Sequence, residues 1–302
     1  MSQTMILVLG MHRSGTSALT RLLNLHGATL PDALIGPAPE NQTGHWEPEV
    51  LVALNDDILA AASRSWHDPR ALPPSWFNSP EAAMFEAQLA DALREEFGNA
   101  PLSVMKDPRL CLLLPLWLRV LEALNITPKV VIPLRHPSEI AASLARRQQA
   151  PAPKFLLLWL RYMLAAERGS RGLTRCFVSY PALLEDWQHE IKQIGGKLGI
   201  TWPMAPTNVD KFLSPDLRHH HSAEPLPAPM ETVHNWLTEA LDHEPLYEII
   251  DSIAARLADA DIFMDGTLGA LEADAQHWLT ETRAWVHKAQ ALDAKAANHN
   301  HG

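Results

Sequence analysis

The sequence predicts an α/β fold in three layers, with a central parallel β-sheet flanked by helices. Three observations predict it. Short apolar runs at residues 5–9, 102–105, 129–134 and 175–179 alternate with longer segments whose apolar residues recur at helical spacing. The runs that begin at Met5 and Lys129 are apolar almost throughout, the pattern of strands covered on both faces. The first run also passes through Gly10 into a short glycine loop and then directly into a helix. No internal repeat is evident.

Met5 to Leu9 (MILVL) is the first strand. Ala18, Leu19, Leu22, Leu23 and Leu25 share one side of a helix over Ser17 to Leu25. Pro31 to Pro48, rich in Pro, Gly, Asn and Asp, reads as a loop that carries NQTGHWEP. Glu49 to Ala62 reads as a helix. Arg64 to Pro80 holds four prolines and two tryptophans and has no period. Pro80 to Phe97 is a helix with proline near its start, and Leu102 to Met105 is a strand leading into KDPR. Leu110 to Ala123 is an apolar helix in which Pro115 lies in the first turn or at a kink. Lys129 to Leu134 is a strand, followed by helices from Pro137 to Gln149 and from Ala152 to Glu167. Arg175 to Ser179 is a strand and Pro181 to Gly195 a helix. Pro203 to Pro229 reads as a loop over one end of the sheet, and Glu231 to Ala260 as helical in two parts. Residues 1–265 are therefore expected to form the α/β domain and 266–302 a helical extension ending in ANHNHG. That extension reads as an extra helix on the core or as a contact between copies in a homodimer.

Composition narrows the function classes. The 302 residues are 47% hydrophobic, with a formal charge of −10 and a pI near 5.8, which disfavours a general nucleic-acid binder while allowing local basic pockets. The two cysteines, Cys111 and Cys176, read as buried thiols in a reducing compartment. No Cys/His spacing suggests zinc, no metal is expected, and the run His219 to His221 reads as a surface loop. The start of the chain lacks a leader pattern, and no apolar run is long enough to span a membrane, so a cytoplasmic protein is expected.

The chemistry concentrates in three stretches. In Gly10-Met11-His12-Arg13-Ser14-Gly15-Thr16-Ser17, glycines permit a tight turn and helix-start N–H groups converge on an anion. Arg13 supplies charge and a donor fork, and Ser14, Thr16 and Ser17 supply hydroxyls, so the fold is expected to be P-loop-like. Thr16 stands where a nucleoside triphosphatase needs lysine, and no acidic strand end offers itself for magnesium, Asp107 apart. Second, Arg135 directly follows a strand and Ser143 lies eight residues later, a combination suited to a terminal phosphate. Parallel strands bring both stretches to one edge of the sheet, so one ligand with two phosphate groups can span them. Third, Lys106-Asp107-Pro108-Arg109 also follows a strand. Lys106 suits a transferring group, and Asp107 suits either an orienting carboxylate or a base. Arg109 suits a partner for Asp107 or a clamp on an anionic acceptor, and a structural cluster of ion pairs remains the alternative.

These residues resemble the sulfotransferase superfamily, users of 3′-phosphoadenosine 5′-phosphosulfate (PAPS). Arg13-Ser14-Gly15-Thr16-Ser17 is similar to the family's 5′-phosphosulfate loop, and Arg135-His136-Pro137 with Ser143 to its 3′-phosphate element. Tyr180 to Trp187 is similar to a tyrosine-centred segment of the family, without its final proline. Bacterial members of uncertain substrate carry versions of GMHRSGTSAL, GHWE and KDPRL. A late RKGxxGxW loop is absent. Ser214 to His221 takes a comparable place, with Arg218 as its nucleotide contact.

The resemblance implies a PAPS-binding set of His12, Arg13, Ser14, Gly15, Thr16, Ser17, Arg135, Ser143 and Arg218. It implies sulfuryl transfer to a hydroxyl or amine of a small-molecule or glycan acceptor, releasing adenosine 3′,5′-bisphosphate. Arg13 and the loop amides would meet the charge on the leaving phosphate. Glu47 of GHWEP is the first choice of base, by likeness to glycan-directed relatives, and His45 the second, with Trp46 as an apolar or sugar-stacking wall. Lys106 and Asp107 complete the expected catalytic set. A kinase on the same fold and a non-catalytic nucleotide-binding scaffold are the competing readings.

Overall fold

The computed structural model describes residues 3–36, 44–213, 224–267 and 280. The chain has two compact units, Met1–Ile253 and Ala254–Gly302. Strand β1 (Gln3–Val8) is followed by helices α1 (Thr16–Leu25), α2 (Glu49–Ala61) and α3 (Pro80–Phe97). Strand β2 (Leu102–Lys106), helix α4 (Leu110–Ala123), strand β3 (Ile126–Leu134) and helices α5 (Pro137–Gln148) and α6 (Ala152–Gly169) come next. Strand β4 (Thr174–Ser179), α7 (Tyr180–Glu185), α8 (Trp187–Leu198) and α9 (Ala228–Glu239) complete the described elements of the first unit, together with helical residues 248–253. In the second unit, residues 254–267 are helical. Among the described residues no helix is long and apolar enough to cross a membrane.

The sheet is parallel throughout, in the order β2-β1-β3-β4. Side chains alternate across it and separate two apolar layers. Ile6, Val8, Val104, Val131, Cys176 and Val178 belong to a buried cluster with Leu19, Leu22 and Leu23 of α1 and Ile191, Ile194 and Leu198 of α8. Met5, Leu7, Met105, Val130 and Ile132, of the opposite parity, are equally buried, on the side where α4 packs against β3. The fold is therefore the expected α/β arrangement with a central parallel sheet between helical layers.

Several boundaries differ from the sequence reading for local reasons. The helix expected over Pro181 to Gly195 is two helices, because Asp186 leaves helical geometry and its carboxylate accepts from His189 N at 3.0 Å, capping a new helix. Pro115 lies inside α4, but on its exposed side, where the amide it lacks is not missed by the core. The irregular stretch before α3 contains one 3₁₀ turn, Pro74–Asn78. Apart from Thr280, the stretch Leu268 to Lys295 lies outside the described residues, as does Ser214 to His221.

The ring of His234 on α9 meets that of His136, at the start of α5, with centroids 4.8 Å apart. Burial, with the charge of His136 as a second cause, pushes the His234 pKa down to about 4. An unfolded histidine titrates near 6.5, so between the two values the unfolded chain binds the extra proton. This contribution to stability is whole above the unfolded value and is lost as pH falls towards about 4. His234→Gln is expected to flatten the fall of the thermal midpoint across that interval, measured by circular dichroism at a series of pH values.

Candidate active site

The carboxyl ends of all four strands meet at one rim, and each delivers part of the site. After β1 the chain turns through Gly10 to Gly15 into α1. Gly10 N donates to the thiol sulfur of Cys111 at 3.1 Å, which anchors the start of the loop on α4. Burial pushes that thiol up to about 12, so Cys111 remains a neutral acceptor. Ser14 turns inward: its hydroxyl donates to Met11 O at 2.7 Å. Gly15 adopts φ 93° at the start of α1, and the ring of Tyr180, the first residue of α7 directly after β4, lies where its side chain would be. Thr16 is buried against Gly10.

Register explains the next contact. Lys106 pairs with Val8 in the sheet, on the face covered by α1. Its ammonium therefore reaches the first turn of α1, donating to Ser17 Oγ at 3.3 Å and to His45 O at 3.2 Å, and it forms a buried ion pair with Glu47. Ser17 also donates to His45 O, at 3.1 Å. Lys106, Ser17, His45 and Glu47 thus converge, with His45 entering through its carbonyl. Trp46, between them, has φ 56° and is stacked beneath the guanidinium of Arg21 at 4.4 Å.

Asp107 turns away from this cluster. It is fully buried, and its carboxylate accepts from Asn55 Nδ2 at 2.8 Å, Arg109 N at 3.0 Å and Arg109 Nη1 at 2.9 Å. Asn55 in turn accepts from Trp117 at 2.9 Å, and Arg109 forks onto Asp56 at 2.6 and 2.8 Å. Burial raises the Asp107 pKa, while the Arg109 charge opposes the rise. The arrangement bolts α2, whose lead-in carries Glu47, to the end of β2. Asn55, Asp56 and Trp117 carried no sequence signal for this role.

At the end of β3, Arg135 Nε donates at 2.8 Å to Glu139, in the first turn of α5. Arg135 Nη1 donates to the carbonyl of Arg13 at 3.2 Å, and its guanidinium lies 5.3 Å from the Tyr180 ring. Arg13, in left-handed backbone geometry with φ 70°, donates through Nε to Ser143 Oγ at 3.0 Å. The loop and the Arg135 element are therefore in direct contact, at the β1–β3 boundary. There the chain's crossovers diverge to opposite sides of the sheet, which is where ligands of open α/β sheets bind.

His12 is half-buried with its ring 4.8 Å from that of Trp66. Burial and the charges of Arg109, Lys106, Arg147 and His45 hold its pKa well below the usual histidine value. Among the described residues, His12 Nε2, Trp46 Nε1 and Arg135 Nη2 are buried without a hydrogen-bond partner. Of these, Trp46 Nε1 and Arg135 Nη2 are donors, and a buried donor is costly until a ligand or water meets it. Arg218 lies outside the described residues.

Fold and rim together define a P-loop-like α/β protein with two cationic elements facing a common edge. More particularly, residues 5–204 match the model of the sulfotransferase family, well over half of the chain, and the chain belongs to that family. Family membership implies PAPS-dependent sulfuryl transfer in general terms. The sulfotransferase domain from the Synechococcus PCC 7002 olefin synthase is 16% identical, covering 82% of this chain and 98% of its own, with a TM-score of 0.47. The sulfotransferase domain from the curacin biosynthetic pathway is 16% identical over 85% and 98%, with a TM-score of 0.41. A sulfotransferase from Alicyclobacillus acidocaldarius is 14% identical over 82% and 99%, with a TM-score of 0.39. No curated protein compared with the chain matches it significantly.

Proposed function

We propose that the protein transfers a sulfuryl group from PAPS to a hydroxyl or amine of a small-molecule or glycan acceptor. The observation that carries the reading is the contact of Arg135 Nη1 with the Arg13 carbonyl, with Arg135 Nη2 buried and unpartnered beside it. Two separate phosphate elements thereby share one rim, as a ribose phosphorylated at both its 3′ and 5′ positions requires.

The donor, when bound, supplies a sulfuryl group on a phosphate leaving group. The amides of residues 10–17, with Arg13 and Lys106, are the groups assigned to its 5′ end. Arg135 and Ser143 are assigned to its 3′-phosphate. Fixed N–H dipoles and a desolvated ammonium stabilise developing negative charge without reorganising. Glu47 is the proposed base. Lys106 holds one of its oxygens, and the other oxygen is assigned to the acceptor proton. Asp107, saturated by Asn55 and Arg109, is assigned to holding α2 in place.

Calorimetry tests the reading. The wild type is expected to bind adenosine 3′,5′-bisphosphate more tightly than adenosine 5′-phosphate, without magnesium. Arg135→Ala is expected to weaken the bisphosphate on the order of 10²-fold, the worth of charge-assisted bonds to phosphate. Tighter binding of ATP with magnesium would move the assignment to a kinase. Tight bisphosphate binding without turnover of PAPS in an acceptor screen would leave a scaffold.

A further inference from the structure

We infer that Trp46, gripped by Arg21, is a positioning residue for Glu47: its anchored indole holds the backbone turn that delivers the carboxylate to Lys106. The inference rests on the sulfotransferase reading above for what Glu47 does there, and not for how it is held.

Residues 45–47 lie along the first two turns of α1. Ser17 and Arg21, four apart, share one side of that helix. Ser17 donates to His45 O at 3.1 Å, and the Arg21 guanidinium covers the Trp46 ring at 4.4 Å. Arg21 is itself held by Asn24, whose amide donates to Ala28 O at 2.9 Å just past the end of α1. Phe212 meets the indole edge to face, with centroids 6.1 Å apart. Trp46 Nε1 has no hydrogen-bond partner, so these ring contacts, rather than a polar bond, supply the grip.

What the grip holds is uncommon backbone. A bulky residue at φ 56° is an outlier that persists only where its surroundings over-determine it. In an extended chain, residues 45 and 47 would turn their side chains to one side. The left-handed residue between them breaks that alternation. The carbonyl of His45 and the carboxylate of Glu47 then reach the same ammonium, which also donates to Ser17. All three protons of Lys106 are engaged in this way, and its side chain is 3% exposed.

The test follows the Lys106 ammonium by NMR on the full-length protein. Buried, fully bonded ammonium protons exchange slowly enough to be seen. Trp46→Gly removes the indole and leaves the left-handed turn free of strain, so only the anchor is lost. Exchange is expected to speed up about tenfold, the worth of one desolvated cation–π anchor. Arg21→Met is expected to act in the same direction, and the double variant to add nothing, because the two residues act as a unit. Trp46→Phe keeps an aromatic face for Arg21 and should keep the wild-type rate. Affinity for adenosine 3′,5′-bisphosphate, which Arg135 and the loop amides are proposed to carry, should stay as in the wild type. Sulfate release from PAPS with water as the acceptor reads the base. Its kcat should fall about tenfold in Trp46→Gly with KM for PAPS unchanged, and recover in Trp46→Phe. The inference is overturned if Trp46→Gly leaves the exchange of the Lys106 protons unchanged, since the turn would then hold Glu47 unaided. Absence of the slow ammonium signal from the wild type overturns it too, because the pair is then not held at all. So does a loss of bisphosphate binding in Trp46→Gly as large as in Arg135→Ala, the mark of a general collapse around the site. Failure of the sulfotransferase reading looks different: the wild type shows no preference for the bisphosphate, while the ammonium still responds to Trp46.

Discussion

Gly15→Ala is expected to lose nucleotide binding and to destabilise the fold. Two separate penalties meet at this position. Its φ of 93° lies where an L side chain strains the backbone, costing roughly 1–2 kcal/mol. An added Cβ would also lie 2.1 Å from Cδ2 of Tyr180 and 2.6 Å from Cε2, so the ring must leave its seat. Tyr180 is buried and lies beside the Arg135 guanidinium, so its movement disturbs the Arg135 element as well. Overpacking of this kind adds roughly 1–3 kcal/mol. Gly172→Ala separates the two terms. That residue has a similar φ of 81° with nothing within 4 Å of the added carbon, and it should show the backbone cost alone. Urea midpoints for both variants, with bisphosphate titrations, decide the matter. Equal losses in the two variants would mean that Tyr180 does not set the loop.

Lys106→Met is expected to have the other large effect. Lys106 and Glu47 are a buried pair, with side chains 3% and 7% exposed. Removing the cation leaves a carboxylate without compensation in low dielectric, a change that costs roughly 3–5 kcal/mol. It also removes the donor to Ser17 and His45 that ties residues 44–48 to the start of α1. Turnover of the sulfate donor should fall on the order of 10²-fold or more if Lys106 meets developing charge. Lys106→Met combined with Glu47→Gln distinguishes stability from catalysis. Neutralising both partners should return much of the stability, because the stranded charge is gone. Turnover should stay low, because both the charge and the proposed base are missing. Recovery of turnover in the double variant would remove both residues from the chemistry.

Much of the architecture was legible before any coordinates. Unbroken apolar runs such as Met5 to Leu9 mark buried parallel strands, and a glycine loop between strand and helix marks where an anion can sit. Parallel strands share a carboxyl edge, so placing Arg13, Lys106 and Arg135 each just after a strand already placed them on one rim. Local chemistry was harder to read where two signals compete. The chain over residues 181–195 reads as one helix by period, yet the Asp186 carboxylate found a better partner in an amide and divided it.

What the chain alone determined, then, is a covered parallel sheet and the residues that its strand ends present. These follow from hydrophobic spacing and chain direction, which are local properties. Only the tertiary structure decided the pairings. It sent Lys106 to Glu47 and Asp107 to Asn55, although the two are adjacent, because neighbouring positions at a strand end face opposite ways. It brought Ser143 to Arg13 and Tyr180 against Gly15. Such contacts join residues from 52 to more than 130 apart, and no periodicity in a sequence encodes which buried donor will meet which acceptor.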